Sequence, residues 1–211
     1  MDRAKVGIIH IFPKLHVSIF ALFTVFFFII SQGVVYSGIF LSAVLIHELA
    51  HIFFLRKYHV LLQHITIYPF GVDIVCDTGH LSYKKEFIIA VSGSFANLAY
   101  AFIGNVVMFF YPSQLLLFFV LCNVFLGIFN LIPLPFFDGG RALRLLLYDR
   151  LDINTAFYIS KCTDIISAFI FLLLSFLLLD FSNFNFSISA TIIYAALSCL
   201  ATNTFLHTKT P

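Results

Sequence analysis

Two histidines and a glutamate stand together at His47-Glu48-Leu49-Ala50-His51. On a helix, positions i and i+4 project from one face, one turn apart. Two imidazoles in that relation can hold one Zn²⁺ from the same side. A glutamate beside the first can take a proton from a water held there. The chain has eight His and only two Glu, Glu48 and Glu86. At those frequencies the HExxH spacing arises by chance on the order of 0.003 times in this length. A catalytic zinc takes three protein ligands and keeps one position open, so a third donor must come from elsewhere. Asp138 is the candidate, at the end of Asn130-Leu131-Ile132-Pro133-Leu134-Pro135-Phe136-Phe137-Asp138-Gly139-Gly140-Arg141. Two prolines in three residues break a helix there. The backbone groups they release must be satisfied by protein or by a wet cavity.

These residues sit in a chain of unusual composition. Of 211 residues, 61% are hydrophobic and 10% are charged. A soluble domain is usually about half apolar and a quarter charged. There is too little polar surface here to cover a water-soluble globule, which excludes a secreted disulfide scaffold, a disordered protein and an ordinary cytosolic enzyme. An all-α polytopic membrane protein remains. The net charge of +2 is too weak to imply nucleic acid. Cys76, Cys122, Cys162 and Cys199 form no CxxC pair and read as buried thiols without a shared role. The N-terminal basic residues precede an apolar run that lacks a small-residue cleavage site, so the run reads as an uncleaved first span.

Six apolar stretches approach the roughly 20 residues a spanning helix needs: 16–35, 38–55, 87–111, 114–136, 164–180 and 184–203. Arg3, Lys5 and Lys14 precede the first. Arg56, Lys57, Lys84 and Lys85 lie between the second and third. Arg141, Arg144, Arg150 and Lys161 lie between the fourth and fifth, and Lys209 follows the sixth. All twelve basic residues therefore share one side, which is the cytoplasmic side, as are both termini. Spans two and four then run the same way, so His47, His51 and Asp138 all fall toward the cytoplasmic ends. Buried ionisable residues in lipid are expected to face a polar interior. Between spans two and three, His64 to Cys76 alternates in polarity around Pro69-Phe70-Gly71. It reads as a small membrane-associated β-hairpin near 63–76 or as an irregular loop. If His64 opens an edge strand, that edge could pair with an unwound substrate.

HELAH on one membrane helix with NLIPLPFFDGG on a later one resembles the site-2 protease family of intramembrane zinc metalloproteases. The pattern Asn-x-x-Pro-x-Pro-x-x-Asp-Gly is matched at every position, and the likeness covers about residues 16–203. The small six-span form most resembles the stage IV sporulation protein FB type. The resemblance implies His47, His51 and Asp138 as ligands of one Zn²⁺ per chain, and Glu48 as general base. It places Asn130 near the active site, where its amide could donate to substrate or a developing oxyanion. It also implies a membrane-tethered protein substrate such as a pro-sigma factor, small inhibitory membrane proteins as partners, and a bacterial cell or forespore membrane as location. Many relatives carry Gly-Pro-x-x-Asn on span three. Here Gly93-Ser94-Phe95-Ala96-Asn97 replaces the proline with Ser94, and close helix packing through Gly93 and Ala96 is the simpler reading. Residues 1–211 read as a single transmembrane metalloprotease domain, with neither the PDZ domain nor the nucleotide-binding CBS pair of many relatives.

Two rival functions use the same residues. A zinc carrier would spread polar residues along several spans, whereas these cluster near one end of two. A catalytically inactive relative would bind membrane partners without cleaving them, yet all four core residues are present.

Overall fold

A computed structural model describes residues 14–68, 71–134 and 137–181. The order is β1 (Lys14–Val17), α1 (Ile19–Gln32), α2 (Val34–Lys57), β2 (Leu62–Tyr68), β3 (Gly71–Cys76), α3 (Tyr83–Phe110), α4 (Gln114–Asn130), α5 (Asp138–Arg150) and α6 (Ile153–Phe181). Two of these helices, α2 and α3, are long and apolar enough to cross a membrane, and α1 and α4 are shorter apolar helices.

The helices differ from the sequence reading at their ends. The first apolar stretch was expected from residue 16, but His16 and Val17 belong to β1 and the helix opens at Ile19. It ends at Gly33, whose φ of 82° is open to glycine and strained for other residues. Helix α2 ends at Lys57 by a different device. His59 takes a φ of 57°, its N–H donates to Arg56 O, and the Val60 N–H reaches back to Leu55 O. That paired pattern closes a helix with a left-handed residue, and the buried Leu55 and Val60 pack in one cluster. The fifth stretch was expected to start at Asp164. Helix α6 instead begins at Ile153, and Asp164 lies inside it because its carboxylate pairs with Arg144 of α5 at 3.7 Å. The connection between the fourth and fifth stretches is itself mostly helical, as α5 and the first turns of α6. The sixth stretch, 184–203, lies outside the described residues.

The hairpin is present and has a third strand. β2 and β3 pair antiparallel, and β1 pairs parallel to β2 with Lys14 opposite His64. This makes β2 the central strand of the sheet. His64 therefore opens no edge, and the outer strands of this sheet are β1 and β3.

Helix α3 is the hub, packing on α2, α4 and α5. Its buried residues are mostly small: Ala90, Ser92, Gly93, Ser94, Ala101 and Gly104. Small side chains let helix backbones approach where lipid supplies no hydrophobic drive between helices. The polarity is inverted relative to a soluble domain. Asn97, Asn123, Ser37 and Ser94 are fully buried, while Phe20, Phe23, Phe27 and Phe109 stand exposed.

Candidate metal centre

His47 and His51 lie one turn apart on α2, both buried. Their imidazoles meet edge to face, with centroids 4.8 Å apart. Asp138 is the first residue of α5. It is delivered there by the break after α4, which ends at Asn130 ahead of Pro133. Pro133 O, freed by the break, accepts from Ser167 Oγ of α6 at 3.1 Å. The α5 N-terminus then folds back so closely that a Cβ at Gly139 would overlap the Leu131 carbonyl, and one at Gly140 the Leu134 carbonyl. The paired glycines are thus a requirement of this turn.

Three donor atoms converge. His47 Nε2 lies 2.8 Å from Asp138 Oδ2. His51 Nε2 lies 3.1 Å from the same oxygen and 3.1 Å from His47 Nε2. The opposite edges of both rings fix their protonation. His51 Nδ1 faces Ile89 O at 2.8 Å, and a carbonyl only accepts, so Nδ1 carries the hydrogen. Asn97 Nδ2 faces Ala43 O at 3.0 Å, which sets the amide with its Oδ1 toward His47 Nδ1, 3.1 Å away. His47 Nδ1 must then donate as well. In the neutral rings both Nε2 atoms are bare lone pairs, turned on each other and on a carboxylate oxygen. Three acceptors in mutual contact are repulsive unless a cation sits among them.

Zinc fits that set. With bonds near 2.0–2.1 Å, tetrahedral donors stand about 3.3 Å apart, a few tenths wider than found here. The cradle beneath them is backbone. A Cβ on Gly93 would lie 2.5 Å from His51 Nε2 and 2.7 Å from His47 Nε2, so only glycine leaves the donor atoms clear. Among the described residues, His47, His51 and Asp138 form the one group of three or more potential metal ligands.

Glu48 is half-buried beside this group and interacts electrostatically with His51, His47 and Asp138. No hydrogen bond ties its carboxylate to a described residue, so it is free to accept one from water. Asn130, expected near the centre, lies at the C-terminal end of α4 with its Nδ2 donating to Leu126 O at 3.0 Å. Its side chain makes no hydrogen bond to the three donors.

The sequence reading missed the supports. Ile89 O, Ser92 and Asn97 hold the outer edges of the histidines, with Ser92 Oγ 3.3 Å from His51 Nδ1. Gly93 and Asn97 belong to the Gly-x-x-x-Asn segment that was read as helix packing. The proline missing at Ser94 does not move those two residues off the site. The spacing of Gly93 and Asn97, one turn apart on a membrane helix, was the available signal. The cysteine reading also needs adjustment: Cys76 is half-buried, Cys122 buried and Cys162 exposed.

Fold and donor set together describe a helical chain, two of whose helices are long and apolar enough to cross a membrane, with a buried three-donor group that can hold zinc. The chain resembles the site-2 protease family, as its motifs imply, and residues 108–177 match Peptidase family M50. It is similar to a zinc metalloprotease of Methanocaldococcus jannaschii, 32% identical over 120 residues, which is 54% of this chain and 34% of that one. A second, provisionally named zinc metalloprotease of the same organism is 29% identical over 144 residues, covering 58% of this chain and 73% of that one. The chain thus spans about a third of the first relative's length. Among solved structures, the site-2 protease from M. jannaschii superposes with a TM-score of 0.65 at 23% identity, covering 89% of each chain; this likeness shows the fold.

Proposed function

We propose that this protein is an intramembrane zinc metalloprotease that hydrolyses peptide bonds within or beside the bilayer. The observation that carries the reading is the convergence of His47 Nε2, His51 Nε2 and Asp138 Oδ2, with both Nδ1 edges already committed. In this reading His47, His51 and Asp138 hold one zinc per chain. When bound, zinc supplies Lewis acidity and lowers the pKa of water to about 7.

The chain's own residues supply the rest. Glu48 takes a proton from the attacking water at its carboxylate and returns it to the leaving amine. Asp138 is 23% exposed whereas the His47 side chain is 8% exposed, so water reaches the donors from the α5 side. A helical substrate has its carbonyls bonded, so it must unwind to present one, and helix-destabilising residues near the cut are expected. Asn130 would enter as a donor to substrate once a bound chain reaches the end of α4.

The surrounding architecture is read as one transmembrane unit over residues 1–211, with six spans and both termini cytoplasmic. The one-sided placement of all twelve basic residues supports it. The substrate class is a membrane-tethered protein. The stage IV FB likeness points to a pro-sigma factor cut in a forespore membrane, with small membrane proteins as inhibitors.

The test is Glu48→Gln in detergent-purified full chain. It keeps about one zinc by mass spectrometry and loses cleavage of a tethered substrate by at least about 10²-fold, the low end of a general base's contribution. Cleavage at the wild-type rate would remove Glu48 from the reaction.

A further inference from the structure

The Asn pair behind His47 is the structure's most fully specified polar feature outside the donors themselves. Asn97 of α3 and Asn123 of α4 are both fully buried. Asn97 Nδ2 donates to Ala43 O at 3.0 Å and to Asn123 Oδ1 at 3.1 Å. Asn123 Nδ2 in turn donates to Phe119 O at 2.9 Å. Each amide hydrogen bond therefore has its direction imposed from outside: Phe119 O orients Asn123, and Ala43 O with Asn123 orients Asn97. The single group left to face His47 is the Asn97 carbonyl, 3.1 Å from Nδ1. Ala43 is one helical turn before His47, so Asn97 grips both the backbone and the imidazole of the same face of α2.

We propose that Asn97, locked by Asn123, is a positioning residue that selects the Nδ1–H tautomer of His47 and so presents its Nε2 lone pair to a metal. The inference rests on the metalloprotease reading of the same centre. Packing alone would be served by two leucines. A relay anchored on the Ala43 and Phe119 carbonyls specifies one tautomer and one ring orientation, which is how outer partners of metal-binding histidines act. His51 has its own, cheaper device in the Ile89 carbonyl. The relay is therefore specific to His47, whose face of α2 looks toward α3 and α4.

The experiment uses full-length protein in detergent, with zinc affinity read by chelator competition and fold stability read by thermal melting of the metal-free form. Asn97→Leu keeps volume and removes the acceptor, and is expected to weaken zinc binding about 10–100-fold. Asn97→Asp keeps an acceptor with more charge. It is expected to melt lower, since a carboxylate is then buried, yet to hold zinc within about threefold of wild type. A residue that merely packed would keep wild-type affinity in Asn97→Leu, and in Asn97→Asp would lose affinity only in step with stability. Should Asn97→Leu fail to fold, Asn123→Leu leaves Asn97 in place without its anchor and is expected to weaken zinc by a smaller factor. The unaltered protein gives a further readout: ¹⁵N shifts of its metal-free histidines should show His47 as the Nδ1–H tautomer. Wild-type affinity in Asn97→Leu, or an Nε2–H tautomer at His47, would overturn the proposal while leaving the metal centre standing. No zinc in the wild type would overturn both.

Discussion

Gly93→Ala isolates the geometry of the donor set. In an ordinary helix interior, replacing glycine by alanine stabilises by roughly 0.5–1 kcal/mol. Here the new Cβ would sit 2.5 Å from His51 Nε2 and 2.7 Å from His47 Nε2 and Cε1, where ordinary contact starts at 3.4 Å. The imidazoles or α3 must yield by 3.4 − 2.5, about 0.9 Å. Metal sites tolerate about 0.2 Å in their ligand distances, so the displacement exceeds the tolerance several-fold. Overpacking of this kind costs about 1–3 kcal/mol in a well-packed interior, which outweighs the alanine benefit. The expected outcome is a folded but less stable protein that binds zinc about 100-fold more weakly, the upper end of what disturbing the support of metal ligands costs. Chelator competition gives the affinity, and melting of the metal-free protein gives the stability. Zinc bound at wild-type affinity by Gly93→Ala would refute the placement of the metal over the α3 backbone.

Three further outcomes follow from other parts of the structure. Asp138→Ala should reduce bound zinc from about one per chain to near zero at micromolar free zinc, since two imidazoles alone are short of the three ligands a catalytic site uses; elemental analysis checks this. Gly140→Ala should destabilise the fold by about 3 kcal/mol or more, because its Cβ would overlap the Leu134 carbonyl, a backbone atom that cannot swing away; loss of the folded fraction in denaturant titration is the measure. Asp164→Asn should cost about 1–2 kcal/mol, between an exposed and a fully buried ion pair, because Arg144 and Asp164 are only partly buried; the same titration reads it, and zinc content should be unchanged.

The candidate donors were legible in the amino-acid sequence, and the fold brings the three of them together. An i, i+4 histidine pair is a local property of one helix, legible from spacing alone, and Asp138 announced itself through the two prolines that end the helix before it. The apolar composition pointed to a membrane protein, since no folding can create polar surface the chain lacks. The β-hairpin was readable from alternation around a turn. Its third strand was not, because β1 lies nearly fifty residues away along the chain and parallel pairing leaves no local mark. The ends of α1 and α6 were misplaced for a similar reason: Asp164 looked like a boundary until Arg144 of a neighbouring helix supplied its partner. How the histidines are held emerges from the packing of α2 against α3. Ile89 contributes a backbone carbonyl, which its side chain does not advertise. Gly93 contributes the lack of a side chain, and Asn97 matters through what Ala43 and Asn123 do to its amide. Ligand identity resides in residue type and spacing, but ligand orientation resides in contacts between helices that are distant in sequence.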